Sequence, residues 1–319
     1  MHYRRLGHSG LKVSEISLGS WVTFGSQIKE TTAIDLVHAA FDQGVNFFDN
    51  ADVYANGQAE IVMGKAIKNL PRENLVLSSK VFYPTSSGPN GRGLSRKHIT
   101  ESIDASLKRL GTDYIDLYFC HRFDPDTPIE EVIRTMDDLI HRGKILYWGT
   151  SEWEAGQVAQ AYGLARQYWL IPPTMEQPQY NLFHRRRVEW ELSSLCKDFG
   201  LGLTTYSPLF FGILTGKYNE GIPEGSRASL PDMAWIQDHI TQKNIDRVRQ
   251  LSDLAEELGM TITQLSIAWI LRRKEVSSVI TGATHLEQLD ENLGAAEMIP
   301  LMTDDILDRI EEIMGETLD

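Results

Sequence analysis

Short apolar runs alternate with longer amphipathic stretches along almost the whole chain. Strand-like runs occur at 15–19 (EISLG), 46–50 (NFFDN), 75–80 (LVLSSK), 115–121 (IDLYFCH), 144–151 (KILYWGTS), 174–177 (TMEQ), 201–207 (LGLTTYS) and 277–282 (SSVITG). Between them, apolar positions recur at helical spacing over 31–44, 59–70, 97–111, 129–143, 154–168, 185–200 and 244–259. Gly44, Gly111, Gly143, Gly200 and Gly259 fall where helices end, and a small hairpin is predicted around Gly7 to Gly10. Eight strands, each followed by a helix and several too apolar to have a wet face, predict a closed parallel (β/α)8 TIM barrel with an N-terminal β-hairpin. The alternative is an open doubly wound sheet, which normally carries a G-x-G-x-x-G turn after its first strand. No such turn exists here, because GPNGRG at 88–93 has the wrong order and follows a loop. Barrels of this length are routinely single domains, so one domain spanning 1–319 is expected.

Charge narrows the partners. The chain has 31 Lys+Arg against 44 Asp+Glu, a formal net charge of −13, with no basic stripe to offset it locally, so nucleic acid and anionic membrane are poor partners. Cys120 and Cys196 lie in apolar segments without metal or redox spacing and read as free thiols in a reducing compartment. The amino terminus has no unbroken apolar stretch, and nowhere do eighteen apolar residues run together, so a cytoplasmic protein without membrane insertion is expected.

Barrel active sites gather at the carboxyl ends of the strands. Strand two ends at Asp49, strand three at Lys80 and strand four at His121, with Tyr54 in the loop after strand two. A buried ionised Asp costs several kcal/mol unless a positive group meets it, and Lys80 is the predicted partner of Asp49. A phenol titrates near ~10, but an ammonium about 4 Å away at an effective dielectric near 20 favours the phenolate by roughly 4 kcal/mol, or about three pK units before solvent screening. In a dry cavity that lysine needs its carboxylate to stay charged. His121 is then placed to hold a substrate oxygen and aim it at Tyr54. Such a group of four can protonate an oxygen on which negative charge develops, yet it supplies no metal cluster and no nucleophile. Carbonyl reduction needs that acid plus a hydride, which a protein borrows from a cofactor.

FDNADVY, the lysine of LSSK, DLYFCH, GTSEW, the EQ of MEQPQYN, YSPLFFGILTGKY and TGATHLEQLDENLGA together resemble the aldo-keto reductases, most closely the branch containing the β subunits of voltage-gated potassium channels. The match runs from about Arg5 to Ala295. It implies NADPH bound in an extended pose without a Rossmann motif, and Asp49, Tyr54, Lys80 and His121 as the catalytic tetrad. By the same resemblance, Tyr206 stacks on the nicotinamide, Ser151 and Gln177 bond its carboxamide, and Ser20, Trp21 and Gln27 lie close by. Ser207, Pro208, Leu209 and Gly212 follow the pyrophosphate. Lys217 and Arg227 meet the adenosine phosphate, with the helix opening at Gly282, Ala283 and Thr284, and Gln288, Glu291 and Asn292 reach the adenine end. Two cations at that place favour NADPH over NADH. Trp21, Phe82, Trp153 and Phe210 are expected to frame a mouth for an apolar or aromatic aldehyde, beside Tyr54 and His121.

The chain departs from the branch at Glu152, where a basic residue is common, at Gly225, where an aromatic often lies, and at His121, where the channel subunits carry asparagine and the working reductases histidine. Loop-like stretches at 83–93 and 207–242 are expected to cover substrate and cofactor. The arginines of HRRRVEW sit at a helix start against the dipole, as a solvated face or a subunit contact. The branch resemblance implies a homotetramer. Three functions follow: an NADPH-dependent aldehyde or ketone reductase; a slow-turnover, NADPH-sensing regulatory subunit docked on a membrane channel; or a barrel enzyme using the same rim for isomerase or hydrolase chemistry.

Overall fold

A computed structural model describes residues 1–315, so the last four residues of the predicted 1–319 domain lie outside the described residues. Strands β1 (Tyr3–Arg5) and β2 (Lys12–Ser14) form the antiparallel hairpin, with Tyr3 opposite Ser14. Eight parallel strands follow: β3 (Ile16–Gly19), β4 (Phe47–Asp49), β5 (Val76–Val81), β6 (Ile115–Cys120), β7 (Ile145–Ser151), β8 (Met175–Gln177), β9 (Gly202–Thr205) and β10 (Val276–Thr281). They pair in chain order, and β10 pairs with both β9 and β3, which closes the sheet and excludes the doubly wound alternative.

Helices α1 (Glu30–Asp42), α2 (Gln58–Ile67), α3 (Arg96–Leu110), α4 (Ile129–His141), α5 (Ala155–Gln167), α6 (Ser193–Phe199), α7 (Gln242–Glu257), α8 (Ile262–Leu271), α9 (Leu286–Gly294) and α10 (Asp304–Met314) surround the barrel. Their ends follow local chemistry. Ser95 caps α3 by accepting from the His98 amide, and Thr261 and Gln264 form a reciprocal capping box on α8. The five predicted terminator glycines all adopt positive φ. The predicted helix over 185–200 is instead wound as a π segment (Arg187–Leu192) before α6 begins at Ser193.

The barrel is filled from its amino end. Phe47, Val76, Leu117, Phe119, Met175 and Ile280 form an interior cluster, which Leu6 and Val13 of the hairpin join. The Gly7 turn seats against Gly200, where an added Cβ would lie 2.2 Å from the Gly200 carbonyl oxygen. With the amino end plugged by apolar side chains, the polar strand ends collect at the other. Among the described residues no helix is long and apolar enough to cross a membrane. Both cysteines are free and buried.

Candidate active site

Asp49, the last residue of β4, is met by Lys80 from β5. The Lys80 Nζ donates to Asp49 Oδ2 at 2.6 Å, to the Asn50 carbonyl at 2.7 Å and to Tyr54 Oη at 3.2 Å. The lysine side chain is fully buried. Asp49 Oδ1 accepts from Ser78 Oγ at 2.7 Å and Gln177 Nε2 at 3.1 Å, so both carboxylate oxygens are held, by donors from the adjacent β5 and, across the barrel, from β8. Tyr54 lies just beyond β4 in a tight turn, with Ala55 and Asn56 at positive φ after it. Its ring meets the ring of His121 edge-on, with centroids 5.8 Å apart.

The electrostatics differ from the sequence expectation. The Tyr54 phenol is pushed well above its ordinary range, first by burial and then by Asp49, with only Arg122 among its leading influences pulling the other way. The expected acidification by Lys80 is not found. The ammonium is in contact with Asp49, so the phenol faces a nearly neutral pair in a dry environment. Burial also lowers Lys80, and contact with Asp49 opposes that shift. Burial, then Lys80 and Arg122, push His121 well below its usual value and leave a neutral imidazole.

These groups open onto a cavity of about 1800 Å³ at the carboxyl ends of the strands. Asp49, Tyr54 and His121 line it, while Lys80 stands behind Tyr54, outside the wall. Trp21 and Gln27 line it after β3, Ser151 at the end of β7 and Gln177 at the end of β8. Ser151 Oγ donates to the Gln177 carbonyl at 3.0 Å. Tyr206 follows β9, and Ser207, Pro208, Leu209, Phe210 and Gly212 continue along the wall. An added Cβ at Gly212, which has φ +98°, would lie 2.7 Å from Lys217 Nζ, and one at Gly282 would lie 3.3 Å from an Arg227 terminal nitrogen. The two cations therefore rest against glycines. Burial lowers both, and Arg227 further lowers Lys217. Neither has an ion-pair partner within 4.0 Å among the described residues.

Gly282, Thr284, Gln288, Glu291 and Asn292 line the same end. The expected helix start at Gly282 to Thr284 is corrected: α9 opens at Leu286, and the Thr284 amide already donates to Gln288 Oε1 at 2.9 Å. Ser20 lies beneath the wall, with its buried Oγ unpartnered. Buried Gln27 Oε1 and Ser226 Oγ are likewise without partners. A large cleft, two cations cradled on glycines and these spare polar atoms fit an elongated phosphate-bearing cofactor of the NADP(H) type.

Two predicted pocket residues are not brought to the cavity. The chain leaves β5 after Val81 and turns Phe82 into the core between barrel and helices, against Tyr83. Trp153 follows the left-handed turn at Glu152 (φ +58°) and is fully buried edge-on to Phe123, with centroids 5.0 Å apart. Of the 83–93 loop only Tyr83 reaches the cavity, whereas residues along 207–235 form much of its wall. Sequence reasoning missed Tyr83 and Arg122, each one to three residues beyond a strand it had assigned, and Trp235, Lys243 and Arg247 farther along the chain.

Glu152 is engaged within the fold. It accepts from Arg187 at 2.8 Å and from the Gln179 amide at 2.7 Å. Arg187 also lies 3.6 Å from buried Glu176, while Arg185 pairs with Glu189 and Glu311 and Arg186 lies 3.8 Å from Glu191. The arginine run thus makes ion pairs within the chain. Of the eight non-glycine residues with positive φ among the described residues, all except Trp169 lie in loops after β3, β4, β7 and β9, at the end of the barrel that carries the cavity.

Residues 15–314 match the model of the aldo/keto reductase family. The chain belongs to that family. Membership carries an oxidoreductase assignment, and NADP(H) is the cofactor class of such proteins. Among relatives, a protein of Arabidopsis thaliana named "Probable voltage-gated potassium channel subunit beta" is 49% identical over 98% of this chain and 97% of its own. A rice (Oryza sativa subsp. japonica) protein of the same name is 48% identical over the same shares. The tetrad geometry and the glycine-cradled cations therefore occur within a reductase-family barrel that is similar to these channel-subunit-named proteins.

Proposed function

We propose that this chain, as one barrel domain over residues 1–319, reduces aldehydes and ketones to alcohols with NADPH, Tyr54 acting as the general acid. The observation that carries the reading is the direction of one hydrogen bond: the Lys80 ammonium, anchored on Asp49 at 2.6 Å, donates to Tyr54 Oη at 3.2 Å. An oxygen that accepts from Lys80 keeps its own proton free to point into the cavity. Burial keeps that proton on the phenol at neutral pH, so it is given up only as negative charge builds on the substrate oxygen. The phenolate formed keeps the hydrogen bond from Lys80 Nζ, which offsets part of the cost of its burial. Neutral His121 can donate a second hydrogen bond to the same oxygen.

NADPH, when bound, supplies the hydride. Tyr206, Ser151 and Gln177 would hold the nicotinamide end, Ser207 to Gly212 the pyrophosphate, and Lys217 with Arg227 the adenosine phosphate. The reading is tested by following NADPH absorbance with 4-nitrobenzaldehyde, methylglyoxal and simple ketones. Turnover of at least one is expected; failure to bind either nicotinamide cofactor contradicts the reading. A second reading rests on the names of the two plant relatives: a tetrameric, NADPH-sensing subunit docked on a membrane channel. Tight NADPH binding with no turnover on any of these substrates, together with a tetramer by light scattering, would favour it.

A further inference from the structure

Arg122 follows His121 directly and lines the cavity. Its Nη1 donates to the His121 carbonyl at 2.5 Å and lies 3.5 Å from Ser151 Oγ, and the guanidinium sits 5.7 Å from the centre of the Tyr83 ring. Tyr83 in turn meets His121 edge-on, with centroids 5.1 Å apart. No carboxylate lies within 4.0 Å of Arg122 among the described residues. This contrasts with Arg187, which has both Glu152 and Glu176 in reach. Asp49 is already engaged by Lys80. A half-buried guanidinium without a counterion is costly unless an anion visits it. Its charge reaches the reacting group, since it acts on Tyr54, Lys80 and His121 together. It stands on the β6 wall, whereas Lys217 and Arg227 rest against Gly212 and Gly282, so it is not part of that cation pair.

We infer that Arg122 is a specificity-determining residue that receives a carboxylate carried by the carbonyl substrate, so that the preferred substrates are aldehydes or ketones bearing an acid group. The inference deepens the reductase reading and rests on it. A guanidinium presents a planar fork that matches a carboxylate, and one of its edges is already fixed by the His121 carbonyl and backed by Tyr83, which preorganises the rest.

The test uses the NADPH-loaded protein in two measurements. Calorimetric titration compares benzoate with benzamide in the wild type, Arg122→Gln and Arg122→Lys. Benzoate is expected to bind the wild type more tightly, to weaken by about tenfold in Arg122→Gln and to recover in part in Arg122→Lys. Equal binding of the two ligands, or equal weakening of both in Arg122→Gln, overturns the inference. In parallel, the kcat/KM ratio of 4-carboxybenzaldehyde to 4-nitrobenzaldehyde should favour the acid in the wild type and fall about tenfold in Arg122→Gln. Turnover of both aldehydes without that preference defeats the carboxylate site alone. Benzoate selectivity with no turnover of either aldehyde supports the carboxylate site and defeats the reductase reading.

Discussion

At the scale of single residues, burial decides more than charge count does. Asp52, two residues from Tyr54, is buried, accepts from Ser102 Oγ at 2.6 Å and is pushed from its usual 3.8 up to about 7, mainly by burial, with Glu60 adding and Arg109 opposing. Between those values the folded chain holds a proton that the unfolded chain has lost. Stability from this group is therefore present at acid pH, falls as pH rises through the window and is lost above about 7. Asp52→Asn keeps an acceptor for Ser102 and removes the titration. Its melting temperature relative to wild type should rise between about pH 5 and about pH 8, by an amount on the order of a few kcal/mol in stability; a constant difference contradicts the assignment. The same balance explains what was legible in the sequence. Asp49, Lys80 and His121 each lie within one residue of the end of an apolar strand, and Tyr54 lies in the loop beyond one, so position alone drew them together. The shift on Tyr54 was not legible, because its sign depends on how far the Lys80 charge is cancelled by contact with Asp49. Tyr83 and Arg122 were hidden as well: where a chain turns after leaving its strand decides which side chain faces the cavity, and no periodicity encodes that turn.

At the scale of elements, every barrel strand was readable from its apolar run, while α8 was not. All of its ten residues except Gln264 are buried, so it shows no polar face and no helical period. Helix α10 was not predicted either, because an eightfold alternation makes no demand for it; it forms on the Thr303 cap and the buried stripe Ile306, Ile310 and Met314. The segment after β9 carries the phosphate prediction. It reverses direction through positive φ at Ser207, Phe210, Phe211 and Gly212, and this folding brings Lys217 back onto Gly212. Lys217→Ala should weaken NADPH binding by about tenfold and NADH binding much less, as measured by quenching of intrinsic fluorescence. Equal losses for the two cofactors would remove the lysine from the phosphate site.

At the scale of the whole molecule, stability and chemistry occupy opposite ends of one barrel. The hairpin residue Leu6 is fully buried with Phe47, Phe119 and Met175, well away from the cations at Gly212 and Gly282. Leu6→Ala should cost about 2–5 kcal/mol in chemical denaturation while NADPH affinity stays close to wild type. An unchanged midpoint would contradict the plug. The formal net charge of −13 leaves the cavity cations as a local exception, which suits a small anionic ligand better than a polyanion.

The most direct test of the account is Tyr54→Phe in a single-turnover assay of NADPH oxidation by 4-nitrobenzaldehyde, with NADPH affinity measured alongside. Removal of the phenol oxygen, the only atom that Lys80 holds on that ring, should slow reduction by about 10²- to 10⁴-fold and leave cofactor binding nearly intact. Reduction at the wild-type rate would show that the proton comes from elsewhere.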